Sequence, residues 1–185
     1  ATEKDLISVV EQTAQLREIE ERLDALEIQV TQALIENDEQ LDAVRDRIAL
    51  MLSQAVVLPD GRRVFKTEDG TQVFDEHGEE VSPEVIDPDS IDDGLTSWEE
   101  FKAQKDLQTE LEAEREQLLD LQQDIDVARD AAENGNLDMG ELDALEAEFG
   151  EIENRSTEPT QSAENSAPKI GEPEVATKDS NTKFQ

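Results

Sequence analysis

One histidine, His77, and no cysteine are available for chemistry in this chain, against 49 aspartates and glutamates. Without thiols or a second imidazole, the usual zinc sites are out of reach. Thiol nucleophiles and disulfides are excluded with them. His77 lies in a Glu76-His77-Gly78 turn pattern and reads as a solvated turn residue. Carboxylates that act as acid and base need partial burial and separated pKa values. Here they recur on helix faces and in linkers, where solvated charge is the simpler use. There is no phosphate-cradling glycine loop, no G-x-S-x-G and no H-E-x-x-H. Asn154-Arg155-Ser156 has the form of a glycosylation sequon, but no secretory signal accompanies it.

The sharpest pattern is a possible calcium loop. Asp130, Asn134, Gly135, Leu137, Asp138 and Glu141 fall at positions 1, 5, 6, 8, 9 and 12 of a twelve-residue EF-hand loop, with helical sequence on both sides. Ala132 stands at position 3, where an oxygen ligand belongs, so any calcium affinity would be weak. A second register, Asp89 to Glu100, fails at Ile91 and Thr96. The first set of residues also suits a capped helix hairpin. Asn134-Gly135-Asn136 would stop one helix, Asp138 and Glu141 would form a capping box, and Leu137 with Leu142 would form its hydrophobic staple. Calcium through Asp130, Asn134, Asp138 and Glu141 is the one cofactor the sequence offers, and the capped hairpin competes with it.

The elements around these residues are mainly helical. Thr2 and Asp5 have capping-box spacing. From there Leu16, Ile19, Leu23, Leu26, Val30, Leu34, Asn37, Leu41, Val44, Ile48 and Met51 recur every three or four residues, and Ala55 continues the row. This is a heptad seam with a stutter near Val30, where two intervals of four follow one another. Asn37 would be a polar seam residue that fixes register in a continuous helix, or, with Asp38, the cap of a hairpin. The unbroken heptad phase favours the continuous helix. Residues 1–56 are therefore expected to form a coiled-coil helix whose greasy row calls for a second copy.

Residues 57–81 change character. Asp60-Gly61, Asp69-Gly70 and His77-Gly78 each precede a strand-forming pair or residue, namely Val64-Phe65, Val73-Phe74 and Val81. Successive turns of this kind predict a small β-hairpin or meander. Two or three short strands are marginal alone, so Val64, Phe65, Val73 and Phe74 are expected to anchor a partner or a second copy. Residues 82–97 read as an acidic linker. Ser97 and Glu100 form a second capping box, opening a long helix over 98–150 that turns back after Asn134-Gly135 as an αα-hairpin. Trp98 and Phe101 share one face at its start and are further candidate anchors. Its seam runs Leu111, Leu118, Leu121, Ile125, Ala128, Ala132, with Glu114 in the slot between Leu111 and Leu118. Residues 151–185 are rich in Ser, Thr, Pro, Glu, Asn and Lys and are expected to be a disordered tail.

Composition narrows the function classes. The net charge is −33, only 35% of residues are hydrophobic and 3% are aromatic, which suits helical seams better than a thick core. Direct nucleic-acid binding draws on Lys and Arg, and an anionic membrane surface repels the same excess of acids. No apolar run approaches a membrane span. A basic protein would be attracted instead. The expectation is a non-enzymatic, acidic, coiled-coil structural or interaction protein, such as an oligomeric scaffold, adaptor or assembly factor. Its partners would be itself and a basic protein, and its setting cytoplasmic or the interior of a virion or procapsid. In composition and layout the chain is similar to assembly scaffolds and accessory proteins of phages and mobile elements, being by expectation helical, acidic, cysteine-free and disordered at one end. The alternatives are an acidic DNA mimic that inhibits a nucleic-acid-binding protein and a weak calcium-responsive module.

Overall fold

The computed structural model describes the backbone of residues 2–166 and the side chains of residues 2–155. The main elements are three helices, α1 (Glu3–Gln54), α2 (Trp98–Glu133) and α3 (Met139–Ser166), and four short strands, β1 (Val56–Val57), β2 (Arg63–Lys66), β3 (Val73–Asp75) and β4 (Glu80–Val81). The expected class is met: a long N-terminal helix, a small antiparallel sheet and a C-terminal helical hairpin. α1 is continuous through Asn37, with no Gly or Pro to break it. Its start is the expected box: Asp5 N–H donates to Thr2 Oγ1 at 3.2 Å and Thr2 N–H to Asp5 Oδ2 at 3.5 Å.

The chain forms two compact units, one of residues 1–38 with 113–185 and one of residues 39–112. The first is a three-helix bundle. Ile19, Leu23, Leu26 and Val30 of α1 close against Leu118, Leu121 and Ile125 of α2 and against Leu142 and Ile152 of α3. At the stutter Ala33 is buried and Leu34 half-buried, so two adjacent positions share the seam there. Ion pairs set the helix directions. Arg129 reaches Asp24 (2.8 Å) and Glu27 (2.6 Å), and Arg115 reaches Asp38, so α2 runs antiparallel to α1. Arg22 holds Asp143 (2.6 Å) and Glu146, placing the start of α3 beside the early part of the α1 seam.

α2 ends in a Schellman motif: Asn136 N–H donates to Ala131 O (2.8 Å) and Gly135 N–H to Ala132 O (3.1 Å), with Gly135 at φ 72°. Asp138 Oδ1 then caps α3 by accepting Glu141 N–H at 2.8 Å, while Leu142 is fully buried and Leu137 packs beside it. α3 continues past the expected boundary at 150, through residues that composition assigned to the tail. Leu142, Leu145, Phe149 and Ile152 keep the 3-4-3 spacing, and Ile152 is buried. Residues 167–185 of that expected tail lie outside the described residues.

The second unit is built around a four-stranded meander, β1-β2-β3-β4, one strand more than the turn pattern suggested. The extra strand is β1, which follows α1 almost directly and pairs Val56 with Val64. The three turns share one device. Gly61, Gly70 and Gly78 each donate N–H to the carbonyl three residues back, at 2.8, 2.9 and 3.0 Å, and each has positive φ. That is a type I turn closed by a left-handed residue, a conformation glycine adopts without steric cost.

Register places Phe65 opposite Phe74 on one face and Val64, Val73 and Val81 on the other. The phenylalanine face meets the helices: Leu41, Val44 and Ile48 of α1 with Phe101 and Leu111 of α2 enclose Phe65. The valine face is covered by Leu58, Ile86 and Ile91. The segment expected as a linker over 82–97 is therefore a cover for the sheet. Lys66 Nζ bonds Ile91 O at 2.7 Å and pairs with Asp93, which fastens that cover.

Candidate functional site

The structure assigns most of the expected contact residues to packing within the chain. In the α1 seam Ile19, Leu23, Leu26, Val30, Leu41, Val44 and Ile48 are buried, and Leu34 and Met51 are half-buried. Leu16 alone stays 38% exposed. The greasy row exists as read, but α2, α3 and the sheet close it, so it leaves no open seam for a second copy. Asn37 is buried and donates Nδ2–H to Glu114 Oε1 at 2.8 Å. The polar interruptions of the two helical seams face one another. Within a bundle such a pair fixes register, because any slip would set each against an apolar neighbour.

The expected partner anchors are likewise internal. Val64, Phe65, Val73 and Phe101 are buried, and Phe74 and Trp98 half-buried. Phe65 stacks on Phe101 with centroids 4.2 Å apart, and Phe74 stacks on Trp98 at 5.0 Å. These rings hold sheet to helix instead of presenting a sticky patch. A crevice lined by Met51, Gln54, Phe65, Lys66, Ile91 and Thr96 holds about 10 Å3. That is room for roughly one water, far below the several hundred Å3 of a small-molecule site.

The calcium pattern is not assembled as a loop. Asp130 is helical and its carbonyl accepts Asn134 N–H at 3.2 Å, Asn134-Gly135 closes the helix end, and Asp138 caps α3. Among the described residues no group of three or more His, Cys, Asp or Glu side chains gathers as a metal site. Asp138→Ala is accordingly expected to cost about 0.5–2 kcal/mol through the lost cap. Urea denaturation followed by circular dichroism should give the same loss in millimolar calcium and in chelator. A loss that appears only with calcium would return these residues to the metal. His77 is exposed, and its N–H donates to the buried Asp75 Oδ1 at 2.9 Å, a turn contact.

Asp75 was not singled out by sequence and is the most buried carboxylate on the sheet. Its Oδ1 accepts the N–H groups of His77 and Glu79, and Arg62 lies 3.6 Å from Oδ2. The only sequence sign was an Asp in a strand directly before a turn. No protein family, curated protein or solved structure matches this chain. Among the described residues no helix is long and apolar enough to cross a membrane.

Several cations are tied up in ion pairs within each unit. Arg22, Arg129 and Arg115 tie the bundle, and Arg62, Lys66 and Arg45 pair within the sheet unit. Arg63 donates to the Leu52 carbonyl at 2.7 Å, capping the end of α1. With 16 basic residues against 49 acidic ones, carboxylates dominate what faces solvent. In the bundle, desolvation and then Asp124, Glu151 and Asp120 raise the Glu148 carboxyl above its ordinary range. Desolvation and then Glu114 and Glu36 do the same to Glu153. A carboxyl whose pKa is higher folded than unfolded binds its proton more tightly in the folded state, so it adds stability as pH falls.

In the sheet unit the sign reverses. Hydrogen bonds from Arg62 lower Asp60, and those from Thr67 and Thr71 lower Asp69. Their stabilisation is present above the unfolded carboxylate pKa and is lost as pH falls through the lower folded value. The urea midpoint of the bundle should therefore rise as pH falls toward the ordinary carboxylate range, and that of the sheet unit should fall as pH drops through and below that range. A bundle midpoint that only falls on acidification would contradict this assignment.

Proposed function

We propose that this chain is a non-enzymatic acidic interaction protein, a self-associating scaffold, adaptor or assembly factor that holds a basic partner protein on its carboxylate surface. The observation that supports this reading is the fate of its cations. Arg22, Arg62, Lys66, Arg115 and Arg129 are engaged in ion pairs within each unit, and with 49 acids against 16 bases the outward charge is predominantly negative. A surface of that kind speeds encounter with Lys- and Arg-rich proteins and repels phosphate backbones and anionic lipid. The setting that suits such a protein is the cytoplasm or the interior of an assembling virion or procapsid. The phage or mobile-element context follows from likeness of composition and layout.

The test is capture of the full chain's partners from its native host with chemical cross-linking, repeated at rising salt. Partners rich in Lys and Arg, lost between about 0.05 and 0.5 M salt, are expected. Neutral or acidic partners retained at high salt would overturn the reading. A partner that is a nucleic-acid enzyme, displaced competitively by duplex DNA, would favour the DNA-mimic alternative, which uses the same carboxylates.

A further inference from the structure

The bundle buries nothing of α1 before Ile19, and every residue from Thr2 to Glu18 is exposed. That stretch is nevertheless amphipathic. Leu6, Val10 and Thr13, flanked by Ile7 and Val9, occupy one half of the helix, and Ser8, Glu11, Gln12 and Gln15 occupy the other. Leu6, Ile7, Val9 and Val10 are each 53–66% exposed. The exposed Leu, Ile and Val side chains along this half of the helix leave apolar surface that another apolar face would bury.

We propose that residues 3–18 of α1 are the self-association site and pair antiparallel with the same segment of a second copy. This rests on the self-associating part of the proposed function, and charge selects both occupant and direction. The segment carries four acids, Glu3, Asp5, Glu11 and Glu18, against two bases, Lys4 and Arg17.

Glu3, Leu6, Val10, Thr13 and Arg17 follow one another at intervals of 3, 4, 3 and 4, so a charge stands at each end of the apolar stripe. A parallel pair would set Glu3 against Glu3 and Arg17 against Arg17. An antiparallel pair sets Arg17 of each copy beside Glu3 of the other. It also places the two acidic bundles at opposite ends of an overlap of about 24 Å. That is several times the screening length of about 8 Å at physiological salt.

The test is light scattering of the full chain after size exclusion, from about 2 to 200 µM. A monomer–dimer equilibrium is expected, weakened at least tenfold in the double variant Leu6→Asp, Val10→Asp, whose bundle melts as before because both residues are exposed. Glu3→Arg and Arg17→Glu should each weaken the dimer, and combining them should restore it. In a parallel pair neither single change would alter the sign of the end contacts. Two neutral single variants would therefore overturn the antiparallel arrangement. An oligomer untouched by Leu6→Asp, Val10→Asp would overturn this site and leave self-association standing. A wild-type chain that is monomeric at about 200 µM would overturn both.

Discussion

Phe101→Ala is expected to destabilise the sheet unit by about 3–5 kcal/mol, the usual cost of emptying a buried aromatic site. Phe101 is 1% exposed, stacks on Phe65 and lies 6.0 Å from the ring of Trp98. Leu41, Val44, Ile48 and Leu111 pack into the same cluster. Few of these neighbours can move in, because the strands that carry Phe65 are only two to four residues long and pinned by glycine turns. Strands this short have little stability without a helix face, so losing the ring should loosen the whole meander. Trp98 is the only tryptophan and the chain has no tyrosine, so emission reports on this unit directly. Guanidinium denaturation followed by Trp98 fluorescence should show the shift. A change below about 1 kcal/mol would mean that the Phe65–Phe101 stack is not what joins sheet to helices.

Leu23→Ala should cost the bundle about 2–5 kcal/mol. Leu23 has no exposed surface and packs among Leu118, Leu121, Ile125 and Leu142. The way the loss is expressed matters more than its size. If Leu23 served a contact between copies, the variant would dissociate first and its loss would depend on protein concentration. With the seam closed by the chain's own helices, the loss should be the same at about 2 and 100 µM, by circular dichroism. Its mass in light scattering should match that of the wild type at each concentration.

The helices were legible because their signals are local. Heptad spacing, the Thr2–Asp5 and Ser97–Glu100 boxes and the Asn134-Gly135 stop depend on residues within a turn or two of one another, and each is present as read. The turns of the meander were legible for the same reason. What covers an apolar row is a different question. The pattern of Ile19 to Ile48 demands a neighbour, but intervals of three and four do not say whether it comes from another molecule or from residues 118–152 of the same one. The clue lay in pairing the two seams: Asn37 and Glu114, read separately as polar gaps, are one hydrogen-bonded contact. Phe65 and Trp98 were misassigned to a partner for the same reason, since their ring partners lie 36 and 24 residues away in sequence. Ile152 was overlooked because charged neighbours masked a spacing that runs unbroken from Leu142.

The two units differ in when they can form. The sheet unit is one unbroken stretch, residues 39–112, and can close as soon as that stretch is made. The bundle joins Arg22 to Glu146, 124 residues apart. At about 5–20 residues per second of synthesis, the greasy row from Ile19 to Val30 therefore waits seconds for α3. During that interval the nascent chain carries an unclosed hydrophobic helix. Chaperones, or a neighbouring nascent copy on the same message, would meet that surface before the finished protein hides it.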